Sequence, residues 1–178
     1  MSAPELSRLV KPRALPAEPL VIEASEAERA ALAERFGITG VPALSARVDF
    51  ATKDETVLVN GTLTATLAQP CAITGEGLTY DVEEPLALRF VPAGSVAEYA
   101  PDEEIELDSE DLDEIGYEGD AFDLGEAIAQ TLALAIDPYR EGEGADEARK
   151  KAGIVSDEEQ TPSGPLAEAL AALKGRSD

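Results

Sequence analysis

Residues 44–67 read LSARVDFATKDETVLVNGTLTATL, and their period decides the fold. Leu44, Ala46, Val48 and Phe50 alternate with Ser45, Arg47 and Asp49. The polar run TKDE (52–55) then reads as a turn, after which Val57, Val59, Gly61, Leu63, Ala65 and Leu67 share one side and Thr62, Thr64 and Thr66 the other. Strict alternation on both sides of a short polar break predicts neighbouring antiparallel strands with one buried and one wet face. The alternation resumes beyond QPCAITGEG (69–77), in Leu78, Tyr80 and Val82 and again in Leu86, Leu88 and Phe90. Four amphipathic strands follow from this reading. Gly61, inside a strand, predicts a bulge or bend that would let the sheet curl.

Helical periods flank the sheet. SEAERAALAERFG (25–37) opens on Ser25 with Glu28 three residues later, a capping box, and stops at Gly37. PLVIEA (19–24) before it reads as a first strand. FDLGEAIAQTLALAIDPYREGEGA (122–145) starts a second helix on Asp123, with Glu126 again three positions on, and Pro138 ends it. Leu124, Ile128, Thr131, Leu132 and Ala135 mark its core face. Together these elements predict an α+β domain over residues 1–140: a curved antiparallel sheet, open or barrel-like, packed with two main helices. Residues 93–121 are expected to form an acidic loop with one or two short edge strands, around 104–107. Residues 141–178 are expected to form a polar, flexible tail, with a short helix within REGEGADEARKKAG (140–153) and a terminal helix at 165–174.

The chain has 178 residues, 44% of them apolar but without Trp, so its core must be aliphatic. No uninterrupted apolar run approaches a membrane span, the first residues lack a secretory h-region, and Cys71 has no partner for a disulfide. A soluble, cytoplasmic protein without membrane contact is the expectation. Net charge is −23, and residues 90–139 carry 15 acids and not one Lys or Arg. Such a field repels the phosphate backbone and attracts basic proteins. Asp102, Glu103, Glu104, Glu106, Asp108, Glu110, Asp111, Asp113 and Glu114 are the candidate partner surface.

Catalytic patterns are scarce. The absence of histidine excludes a His-based triad and His metal ligands, and a lone cysteine cannot complete a zinc site. No phosphate-binding loop, dinucleotide fingerprint or nucleophile elbow is present. An EF-hand starting at Asp111 fails, with Ile115 at its fifth position and Phe122 at its twelfth. Paired carboxylates could still serve a hydrolase, with or without a metal ion, although the chain has no Trp and few aromatics to stack sugars. Cys71 has no basic neighbour to lower its pKa and reads as structural or incidental.

Taken in order, ERAALAERFGI (28–38), VNGTLTATLAQPCAITGE (59–76), PLALRFVP (85–92), FDLGEAIAQTLALAIDPYREGEGA (122–145) and PLAEALAALKG (165–175) resemble the bacterial YceD family of large ribosomal RNA subunit accumulation proteins. The resemblance picks out Glu28, Arg29, Gly61, Gln69, Cys71, Asp123, Leu124, Gly125, Glu126, Asp137, Pro138 and Tyr139 as motif positions. It implies a role in the synthesis, processing or stability of large-subunit ribosomal RNA, with no enzymatic activity and no cofactor. Many relatives carry a second cysteine just after the position of Cys71 and more after the Asp-Pro helix, a metal-binding pattern. Here Ala72, Ile73 and Thr74 follow instead. Combined with the charge map, the resemblance implies a basic ribosomal protein or assembly factor as partner, with large-subunit RNA touched at most indirectly. The short basic patches Arg8, Lys11, Arg13 and Arg149, Lys150, Lys151 could meet phosphate once the protein is docked. The competing readings are an acidic protein-binding module unrelated to ribosomes and, behind it, the hydrolase.

Overall fold

The computed structural model describes residues 5–95 and 114–154. Its strands are β1 (Leu9–Val10), β2 (Leu20–Glu23), β3 (Gly40–Lys53), β4 (Thr56–Pro70), β5 (Gly77–Pro92), β6 (Glu114–Tyr117) and β7 (Phe122–Asp123). The helices are α1 (Glu26–Phe36), α2 (Leu124–Ala135) and α3 (Ala145–Lys151). Strands β2-β3-β4-β5-β6 form one sheet in that spatial order, and β1 pairs with β7 in a second, two-stranded one. The larger sheet stays open rather than closing into a barrel. The α+β reading holds.

The period-two pattern is realised residue by residue. Val57, Val59, Leu63 and Leu67 are at most 1% exposed, whereas Thr62, Thr64 and Thr66 between them face out or lie half-buried. At about 2 kcal/mol per buried aliphatic side chain, this face supplies much of the driving force for folding. Helix α1 packs on β3, and α2 lies against β5, β4 and β1. Phe90 of β5 stacks on Phe122 of β7, with ring centroids 4.1 Å apart, and ties the two sheets together.

Three details differ from the sequence reading. The two strands expected at 78–90 are one continuous β5, passing through Glu83, Glu84 and Pro85 without a break. Pro85 is tolerated because β6 pairs only with residues 89–92 of β5, leaving the strand an edge at Pro85. At Gly61 the register with β3 and β5 runs on without a bulge. The glycine is there for space, since a Cβ would lie 2.0 Å from the carbonyl oxygen of Arg47. Finally, β6 and the short β1–β7 pair were not anticipated, for two to four residues carry too little periodicity to show. The strand expected near 104–107 and the helix at 165–174 lie outside the described residues.

Candidate functional site

All the motif positions but Gly61, which lies within β4, gather in two clusters. The first surrounds the N-termini of both main helices. Ser25 caps α1 with the full capping box: Glu28 N–H donates to Ser25 Oγ, and the Glu28 carboxylate accepts from the Ser25 amide at 2.8 Å. That carboxylate also takes a two-pronged bond from Arg8, at 2.6 and 3.1 Å. The Arg8 guanidinium, followed by the Ser25 bonds, draws the Glu28 pKa down to about 2. Arg29 of the same turn donates to the carbonyl of Ala24 at 2.6 Å.

Asp-Leu-Gly-Glu receives the N-terminal segment on the other side. Asp123 Oδ1 accepts from the amides of Gly125 and Glu126, capping α2, and also from the amide of Arg8 at 2.8 Å. Its Oδ2 accepts from the Ser7 hydroxyl at 2.6 Å. Leu124 is fully buried, and its amide donates to the carbonyl of Arg8. Gly125 lets the backbone of residues 6–8 pass directly over the helix. Glu126 does not close a second capping box; both its oxygens accept from Arg35 of α1, at 2.8 and 2.9 Å. Arg35 bonds Glu5 as well. Two arginines and four acids thus bind the N-terminal segment, α1 and α2 together. Arg8, expected in a phosphate-facing basic patch, instead pairs with Glu28, and Arg35 was missed by sequence reasoning. Arg35 stands seven residues after Glu28, on the same helical face, but nothing in the sequence names its partner.

The second cluster joins the β4–β5 turn to the Asp-Pro-Tyr segment. Gln69, only 4% exposed, donates from Nε2 to the carbonyl of Asp137 at 2.7 Å and accepts from the Tyr80 hydroxyl at 2.8 Å. The guanidinium of Arg140 lies 3.7 Å above the Tyr80 ring. The carbonyl of Arg140 receives the amide of Ala72. Pro138 ends the run after α2, while Tyr139 points outward, 79% exposed. Cys71 is 3% exposed, and its Sγ accepts from the amides of Thr74 at 3.4 Å and Gly142 at 3.3 Å. Thr74 first, with the neighbouring amides behind it, lowers the thiol pKa to about 7 against the cost of burial. Cys71 has no basic neighbour in the sequence; the Thr74 hydroxyl and the amides around it do the same work. Ala72, Ile73 and Thr74 follow Cys71 and bring no second thiolate, so the residues around it do not complete the donor set of a zinc site. Among the described residues, no group of three or more acids and cysteines is arranged to hold one.

Of the candidate acidic surface, only Glu114 lies within the described residues, and it is paired with Arg89 at 3.2 Å. The positions Asp102, Glu103, Glu104, Glu106, Asp108, Glu110, Asp111 and Asp113 fall outside them. Among the described residues, three of the six basic-patch positions are engaged in ion pairs. Arg8 bonds Glu28, Lys11 bonds Asp120, and Arg149 bonds Glu141 and Asp146. None of the described helices is long and apolar enough to cross a membrane.

No curated protein and no solved structure matches the chain. The family model described as "Large ribosomal RNA subunit accumulation protein YceD" matches residues 59–174. That region holds all of the second cluster and the Asp-Leu-Gly-Glu half of the first, so the chain belongs to the YceD family of large ribosomal RNA subunit accumulation proteins.

Proposed function

We propose that this protein is a non-catalytic factor for the synthesis, processing or stability of large-subunit ribosomal RNA, and that it works by holding a basic ribosomal protein or assembly factor. The family match over residues 59–174 carries the ribosomal half of the reading. The partner half is supported by charge: 15 acids and no base between residues 90 and 139 favour a cationic protein and oppose bare RNA. Engagement of Arg8, Lys11 and Arg149 in ion pairs further reduces what the protein could offer to phosphate.

A catalytic role finds less support. General-acid carboxylates need raised pKa values, whereas Glu28, Asp120 and Glu126 are all lowered, by Arg8, Lys11 and Arg35 respectively. The deciding experiment is the ratio of large- to small-subunit ribosomal RNA in cells lacking the protein. A fall restored by the wild-type gene, but not by a gene with the acids of 102–120 neutralised, is the expected result. An unchanged ratio, with no redundant copy present, would leave the generic acidic binding module in the lead. Failure to co-sediment with large-subunit precursors would point the same way.

A further inference from the structure

The open face of the sheet carries a cleft beside the start of α1. Strand register sets Glu23, Ser45, Thr64 and Glu83 side by side across β2, β3, β4 and β5. The next rank holds Thr66 and Asp81, whose side chains bond at 2.7 Å. These residues line a volume of about 450 Å³, with Arg29 at the helix end. The floor is therefore hydroxyl and the rims are carboxylate. Arg29 donates to the carbonyl of Ala24. Among the described residues, Glu23, Asp81 and Glu83 form no ion pair.

We propose that this cleft is a docking surface for an extended basic polypeptide segment, with a lysine or arginine side chain held over Thr64 between Glu23 and Glu83. The two glutamates are three strands apart, about 14 Å at the usual strand spacing, which leaves room for one chain between them. Three carboxylates against one guanidinium give the cleft a negative field that suits a cationic side chain and repels a nucleic-acid strand. The hydroxyls of Ser45, Thr64 and Thr66 accept from the donors that the carboxylates leave unmatched. The inference rests on the basic partner proposed above, but it places part of the recognition on the rigid sheet instead of the acidic run.

The test uses the full chain and a fluorescein-labelled peptide of about 12 residues alternating arginine and glycine, titrated at low salt by fluorescence anisotropy. The cleft variant is Glu23→Gln/Asp81→Asn/Glu83→Gln, which keeps an acceptor for Thr66. Its control, Glu18→Gln/Glu34→Gln/Glu147→Gln, removes the same charge elsewhere. The cleft variant is expected to weaken binding at least about fivefold and the control less than about twofold, with both melting as the wild type does. Binding by the cleft variant equal to the control overturns the inference. If neutralising the acids of 102–113 abolishes binding while the cleft variant retains it, the cleft fails and the acidic-surface reading stands. Absence of binding by the wild type sinks both. Peptide-induced amide shifts at Ser45, Thr64 and Thr66 locate the contact, and shifts confined to other residues count against it.

Discussion

The amide nitrogen of Arg8 lies 2.7 Å from the place a Cβ on Gly125 would occupy. The first turn of α2 and the N-terminal segment therefore touch backbone to backbone, and the bonds of Asp123 to Ser7 and Arg8 depend on that approach. Gly125→Ala must push the segment off the helix, and the expected loss is about 2–3 kcal/mol. Gly61→Ala, with its Cβ directed at the Arg47 carbonyl inside the sheet, should cost more. Urea unfolding of both variants checks the order; equal and small losses would show that the segment yields freely.

The Arg8–Glu28 pair makes stability depend on pH in the acid range. The folded-state pKa of Glu28 is held below its ordinary value, at about 2. Its contribution is therefore complete above about pH 4.5 and disappears as pH falls through about 2. Glu28→Gln should cost about 1–2 kcal/mol near neutrality, after allowance for partial solvent exposure. The gap between variant and wild type should close as unfolding is repeated at successively lower pH. A gap that persists at pH values well below about 2 would assign the loss to packing rather than to the charge.

Gln69 is the joint between β4 and the segment after α2. Gln69→Leu fills the space but leaves the Asp137 carbonyl and the Tyr80 hydroxyl without their partner, an expected loss of about 2–3 kcal/mol. Tyr80→Phe removes only one of the two bonds and should cost about 1 kcal/mol. Amide exchange at residues 137–142 should quicken in Gln69→Leu well before global unfolding, and unchanged exchange there would count against the joint.

Cys71 combines a thiol pKa of about 7 with 3% exposure. The two properties pull apart in a labelling experiment. A large fraction is thiolate near neutral pH, yet a thiol reagent must wait for the 71–76 turn to part from residues 140–142. Native labelling should be slow and should accelerate in Gln69→Leu. Rapid labelling of the wild type would show that the turn opens on its own.

Much of the fold was legible because its cause is local. Alternation over residues 44–67 is a property of the chain, and burial of one face follows wherever the strands pair. The caps at Ser25 and Asp123 and the left-handed stop at Gly37 involve bonds spanning only a few residues, so the sequence alone determined them. What the sequence could not determine is what each cap does besides capping. Asp123 and Glu126 look like the opening of a second capping box, and only the packing of α2 beside α1 turns Glu126 toward Arg35, 91 residues away. The same holds for Gly61, whose need is set by the neighbouring strand's carbonyl, and for the Glu23–Ser45–Thr64–Glu83 rank, which exists only once four strands are in register. Periodicity reports which face of an element is buried; the partner across the contact is chosen by the tertiary fold, because residues distant along the chain meet only there.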